Sequence, residues 1–500
     1  MKLFKLSIII LTCISLSSCF EDNDDNGISS SDINDFVWKG MNAFYLYKDE
    51  IPDLANDRFA NNEDYRSYLS SFPAPELLFE SLIYQRASID RFSVIVDDYI
   101  ALEQLFNGTT VSNGMEFGLF RFNASDSQVY GYVRYVLPNT SAEAQNVKRG
   151  DLFYGIDGTP LTIDNYRSLL SSSNNYSIDL AEYNNNGTST IEDDTVTPTN
   201  TSIELSKQAY SENPIYMHSV LNVGNDKVGY LMYNAFTGTN QFDSELNAVF
   251  GEFKAAGVTE LVLDLRYNGG GSVNTAIWLS SMITGQFTGD LLVREEWNSD
   301  IQAEFLATNP EQLLNPFVDE MRKTNNNGDV VFQENINHLN LNKVYVLTTG
   351  STASASELVI NGLNPYIDVV QIGTTTTGKY QASTTIYDAP NFRKSEANPN
   401  HTYAMQPLIL KSINSVGFTD FNDGLAPQIA IGENFNNLGV LGNVDEPLLA
   451  VALAEIEGLG RFSPNTTIAE PSLEIQFESH PFQNDMYVSP NILLDNVKLK

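Results

Sequence analysis

Lys343 to Leu363 reads KVYVLTTGSTASASELVINGL. Lys343-Val344-Tyr345-Val346-Leu347 has the β-branched and aromatic character of a buried strand. After Gly350 the chain turns to small and hydroxyl residues, and a helix is expected from about Ser356. A serine at that junction stands at a helix N-terminus, where backbone N–H groups point outward without intrahelical partners. The same place suits plain N-capping, with Glu357 in the first turn. The strand-to-helix step recurs. Lys227 to Leu231 reads as strand, Ser244 to Ala256 as helix, Leu261 to Leu265 as a buried strand ending in glycine, and Val369 to Ile372 as a further strand. Asp445-Glu446-Pro447 then caps a helix bearing Leu448, Leu449, Ala452, Leu453 and Ile456. Alternation of this kind predicts a mixed α/β layer fold over residues 209–460.

The rest of the chain differs in texture. Residues 31–108 read as short helices broken at Pro52, Pro73 and Pro75, a small helical domain with no chemistry of its own. Residues 109–208 turn to strand patterns, with Val129 to Val133 as the plainest and Asp157-Gly158 as a tight turn between two strands. A polar stretch from Asn184 to Asn200 reads as a disordered insertion before the last strand. Residues 461–500 hold four prolines and no helical period, which leaves either an extra strand or two or a tail.

Composition bounds the function. With 500 residues the chain is long enough for several domains, and 42% hydrophobic against 18% charged residues is a globular balance. A net charge of −35 sets a nucleic-acid partner aside, because that field repels phosphate. Lys2 and Lys5 precede an apolar run, Leu6 to Leu16, too short to span a bilayer. It ends in Leu16-Ser17-Ser18-Cys19, which resembles the lipobox of bacterial lipoproteins. That resemblance implies removal of residues 1–18 and acylation of Cys19; the acidic run that follows, with nothing apolar to bury, makes residues 19–30 a solvated tether. The tether is also similar to the surface-export signal of Bacteroidetes lipoproteins. An outer-membrane lipoprotein facing the periplasm or the cell surface is the expected location.

The four histidines, His218, His338, His401 and His480, stand in no motif that would place one against a serine or a metal. Neither a metal nor a nucleotide is called for, and no cofactor is expected. Three motifs carry chemistry instead. Thr352-Ala353-Ser354-Ala355-Ser356-Glu357 offers a hydroxyl at a helix start. Thr377-Gly378-Lys379 offers an amine that, to act as a base, must be neutral, as lysine becomes in a dry pocket. Asp264-Leu265-Arg266-Tyr267-Asn268-Gly269-Gly270-Gly271 frees a backbone to present N–H groups.

The set, in this order, resembles the S41 serine peptidases, the carboxy-terminal processing and tricorn-like enzymes. The resemblance covers residues 31–460. It implies an α/β multidomain chain: a small helical N-terminal domain, a PDZ-like β-rich domain, and a mixed α/β core of the ClpP/crotonase-like kind. It implies Ser354 as nucleophile and Lys379, 25 residues on, as general base. It carries the oxyanion N–H groups onto Gly270 and Ala355. Gly114-Met115-Glu116-Phe117-Gly118 resembles the PDZ loop whose N–H groups hold a peptide's C-terminal carboxylate. Asp423 to Pro427 resembles a segment near the end of the family's core. Many members place a glutamine four residues after the lysine to orient it; here that position is Ser383, and Gln381 lies two after. The position eleven after the serine, acidic in another subset, is Pro365, and the family's Pro-Asp is Pro427-Gln428. Expected partners are unfolded proteins or peptide C-termini, and the membrane through Cys19. A peptide-binding surface lipoprotein with a dead core is the alternative; a glycan-binding lipoprotein is a third, with only 3 Trp to stack on sugars. Cys19→Ala should move the protein from the membrane fraction to the soluble fraction after cell lysis; unchanged partition would refute the anchor.

Overall fold

A computed structural model describes residues 30–122, 125–171, 173–188, 194–325, 327–434, 437–459, 473–475 and 484–488. The leader, Cys19, nearly all of the acidic tether and most of 461–500 lie outside the described residues. No helix among those described is long and apolar enough to cross a membrane.

The centre is a six-stranded sheet in the order Ile215–Val223, Asp226–Tyr233, Glu260–Asp264, Lys343–Thr348, Asp368–Gly373, Ile429–Ala430. The first pair is antiparallel and every later pair parallel. Alternate residues of its strands serve opposite faces. Leu261, Leu263, Val344 and Val346 enter one core with Phe250 and Phe253 of the Asn240–Ala256 helix, Leu279 of the Val273–Ile283 helix and Leu358 of the Ala355–Leu363 helix. Val262, Tyr345 and Leu347 enter another, beneath Leu448, Leu449 and Ala452 of the Pro447–Ile456 helix. Both faces are covered, which is why these strands read as continuous apolar runs.

The N-terminal helices Ser30–Phe44, Asn62–Ser70 and Pro75–Ser81 are not a separate globule. Phe36, Met41 and Phe44 are buried in the same core as the sheet, and Val94–Val96 pairs antiparallel with Ala404–Gln406. Residues 115–206 fold differently, as an antiparallel sheet of Met115–Arg121, Tyr130–Val136, Leu152–Ile156, Asn175–Asn184 and Thr195–Ser206, joined by Leu473–Ile475. Its core is its own, built on Met115, Leu119, Val133, Phe153, Ile178 and Leu205. Asp157 (φ 50°) and Gly158 (φ 75°) make the left-handed turn that joins Leu152–Ile156 to Thr159–Pro160. The reading of Asn184 to Asn200 as a disordered insertion is overturned for its second half. Thr195 to Pro198 pairs with Asn184 to Ala181, an edge ladder that needs backbone partners but little apolar surface. An edge position also tolerates Pro198.

One buried charge cluster ties this β-rich unit to the core. Arg266, 0% exposed, donates to both Asp264 oxygens at 2.9 Å, to Glu446 at 2.6 and 2.9 Å, and to Glu433 at 3.3 Å. Arg149 of the β-rich unit reaches the same Glu433 at 2.6 Å and the Tyr267 hydroxyl at 2.7 Å. Burial alone would raise the Glu433 carboxyl; Arg149 and Arg266 hold it down at about 2. Arg266→Met would leave buried carboxylates without their shared cation. We expect a loss of about 3–5 kcal/mol in urea unfolding; a loss below 1 kcal/mol would show that the cluster contributes little.

Candidate active site

Ser354 precedes the Ala355–Leu363 helix and is fully buried, with φ 59° and ψ −112°. A left-handed φ in a non-glycine residue costs about 1–3 kcal/mol and persists only where the surroundings impose it. Glu357, one turn on, imposes it here. Its Oε2 accepts the Ser354 N–H and the Lys379 N–H, each at 2.8 Å, so those two nitrogens lie no farther apart than twice that distance. Its Oε1 accepts the Gly378 N–H at 2.7 Å and the Thr376 hydroxyl at 2.5 Å. One carboxyl thus fastens the serine turn to the lysine loop. Burial pushes that carboxyl up to about 7, against the pull of the four donors. The spacing that suggested plain capping is present and also links the two motifs.

The glycine loop docks on the same turn through Asn268. Its carbonyl accepts the Ala353 N–H at 3.0 Å and the Ser356 hydroxyl at 3.1 Å. Gly270 (φ 118°) passes so close that an added Cβ would lie 2.6 Å from Ser354 Cβ. Its N–H, expected to face an oxyanion, donates to Asn268 Oδ1 at 2.9 Å. The side chain two residues back folds onto the loop to accept it. Ala355 is the first residue of the helix and is buried.

Lys379 is 1% exposed. Its Nζ lies 4.7 Å from the Phe92 ring centroid and donates to Asp485 Oδ1 at 2.5 Å. In this arrangement the amine is paired with a carboxylate. Neither candidate orienter meets it directly. Gln381 donates to the Tyr47 hydroxyl at 2.8 Å, because its strand aims it toward the turn after the first helix. Ser383 donates to Asp485 Oδ1 and Oδ2 at 3.0 and 2.9 Å and so shares the carboxylate that Lys379 holds. Arg91 donates to the carbonyls of Thr377 and Gly378 at 3.0 and 2.8 Å. With Phe92 and Tyr47, it corrects the view that the N-terminal region carries no chemistry: loops between and after its helices form one wall of the lysine's surroundings. Asp423 to Pro427 supplies another, since Leu425 N–H donates to Thr376 Oγ1 at 2.7 Å.

Of Gly114 to Gly118, only Gly114 lies outside the Met115–Arg121 strand. The Gly114 and Met115 N–H groups donate to Ser112 Oγ at 2.9 Å and Asn113 Oδ1 at 3.0 Å, so they present no open pair to a carboxylate. Met115, Glu116 and Phe117 line a cavity of about 420 Å³ that runs to Gly269, Gly270 and Asp485. Sequence reading missed Asp485, Phe92, Tyr47 and the linking role of Glu357. Only Glu357 carried a signal, its place three residues after Ser354; Asp485 lies 106 residues from Lys379.

The sequence model of peptidase family S41 matches residues 227–392, and that of the peptidase S41 N-terminal domain matches residues 32–94. Residues 227–392 and 32–94 thus carry the S41 peptidase domain and the N-terminal domain that goes with it. The S41 match takes in the glycine loop, Ser354 and Lys379, and the N-terminal match takes in Tyr47, Arg91 and Phe92. The fold is similar to that of a Bacteroides fragilis protein described as an S41 protease, with TM-score 0.63 and 24% identity over 85% of this chain and 97% of that one. A photosystem II D1 C-terminal processing protease aligns with TM-score 0.48 and 16% identity over 85% of this chain and 99% of its own. A search of curated proteins gives no significant match.

Glu357→Gln keeps the shape but replaces an oxygen acceptor with an amide donor. Peptidase activity should fall at least about 100-fold if the serine turn and lysine loop separate. The carboxyl is raised in the folded state, so its stabilising contribution is present below about 4.5 and lost as pH rises through about 7. Unfolding stability measured across that window should fall less steeply in Glu357→Gln than in wild type.

Proposed function

We propose that this S41 peptidase is a serine endopeptidase using a Ser354–Lys379 dyad. The observation that carries the reading is the Glu357 carboxyl, which holds the backbones of both residues through a single oxygen atom. Lys379, once free of Asp485, takes the Ser354 proton as the hydroxyl attacks the scissile carbonyl. The acyl-enzyme forms and the amine leaves; water then releases the acid. The Ala355 N–H at the helix start, and the Gly270 N–H once turned from Asn268, are the proposed donors to the oxyanion.

The β-rich unit is proposed to act as a PDZ-like domain capturing unfolded proteins or peptide C-termini. Its support is the cavity that joins Met115, Glu116 and Phe117 to the glycine loop. Cys19 acylation would hold the enzyme at the outer membrane, on the periplasmic or the cell-surface face. The rival reading, a peptide-binding lipoprotein with a silent core, draws on the engagement of both reactive groups. Ser354 donates to the Asn484 carbonyl and Lys379 to Asp485.

Ser354→Ala and Lys379→Ala should each lower cleavage of an unfolded protein by at least about 1,000-fold, with circular dichroism near that of wild type. Wild-type rates in both variants would refute the dyad. Failure of a serine-reactive probe to label Ser354 in any variant with a vacated site would favour the silent-core reading.

A further inference from the structure

The second six-stranded sheet runs Gly271–Ser272, Met486–Tyr487, Gln381–Ser383, Leu408–Asn414, Leu291–Trp297, Leu314–Pro316. Its second strand comes from far along the chain and bridges the glycine loop to the strand that follows Lys379. Gly271 and Ser272 pair in parallel with Met486 and Tyr487, and Ser383 pairs with Tyr487. Without residues 484–488 a strand-wide slot would separate these two walls, each with backbone groups facing it. Such a slot is the shape an extended peptide fills by strand addition.

The segment fills it thoroughly. Asn484 O accepts the Ser354 hydroxyl at 2.6 Å, and Asp485 takes Lys379 and Ser383. Met486 is 0% exposed and Tyr487 packs on Phe106 with ring centroids 4.5 Å apart. Val488 N–H donates to Ser383 O at 3.0 Å, and Thr384 Oγ1 donates to Val488 O at 3.1 Å. An added Cβ on Gly270 would lie 2.8 Å from Asp485 O, so the segment runs directly over the glycine loop.

We propose that Asn484 to Val488 is the resident occupant of the peptide cleft, and that substrates are extended peptides that must displace it. The proposal rests on the dyad reading for which atoms are blocked. The occupant is held as an inhibitor rather than cut. The serine hydroxyl donates its proton to the Asn484 carbonyl oxygen, and the lysine that would take that proton is held by the next side chain. The occupant also specifies what the cleft takes: an extended segment with a long apolar side chain two residues after the carbonyl at Ser354, followed by an aromatic one.

The test uses full-length protein and a fluorescent peptide spanning residues 480–492. In a Ser354→Ala background the peptide should bind at least about tenfold more tightly when Met486→Glu is added, since a filled cleft lowers apparent affinity by the fraction vacant. With Ser354 intact, Met486→Glu should raise cleavage of an unfolded protein about tenfold, and mass spectrometry should find the wild-type segment uncut. Asp485→Asn, which keeps the size and removes the charge, should act in the same direction if Met486→Glu fails to fold. Equal peptide binding with and without the change, or binding to neither, overturns the occupancy, as does wild-type protein cleaved after Asn484. Tighter binding to the vacated cleft with no hydrolysis by any variant would sustain the occupancy and sink the dyad reading. Raised hydrolysis that Ser354→Ala abolishes sustains both.

Discussion

Four donors converge on the Glu357 carboxyl, from the serine turn on one side and the lysine loop on the other. This contact is fully buried, where an acceptor left without donors is costly and a satisfied one is rigid. It explains why Ser354 can keep a left-handed backbone. The strain in one residue is offset by hydrogen bonds that form only in that conformation. It also explains why Gly378 must be glycine. The loop there has φ 85°, and an added Cβ would lie 2.3 Å from Asn422 O.

The Arg266 cluster performs a similar task at longer range. The arginine belongs to the turn that delivers the glycine loop, and its carboxylate partners come from the central strand and from residues 433 and 446. Arg149 joins from the β-rich unit through Glu433 and Tyr267. A displacement of that unit therefore cannot leave Tyr267 and the adjoining glycines untouched. Charges buried this deeply are weak contributors to net stability but strict about geometry.

Much of the architecture was legible in local patterns. The strands at Lys227, Leu261, Lys343 and Val369 announce themselves because both faces are covered, and the Pro447 helix because Glu446 caps it through the Leu449 N–H at 2.9 Å. Thr195 to Pro198 was misjudged for the opposite reason. An edge strand held by backbone pairing carries no apolar signature. The N-terminal helices were legible as helices, but the loops between and after them were not legible as a wall of the site. Arg91 reaches carbonyls more than 280 residues away, and nothing in its surroundings forecasts that.

The sequence by itself determined the layered α/β fold and the positions of Ser354, Lys379 and the glycine loop, because periodicity, helix starts and glycine runs are local physics written in neighbouring residues. Only the tertiary structure decided what those groups touch. Glu357 links serine to lysine, Gln381 turns away to Tyr47, Asn268 takes the Gly270 N–H, and Asp485 takes the lysine. Each of these depends on hydrogen-bonding side chains whose partners are chosen by packing. A buried donor or acceptor pairs with whatever polar group the fold brings within reach, at any separation along the chain.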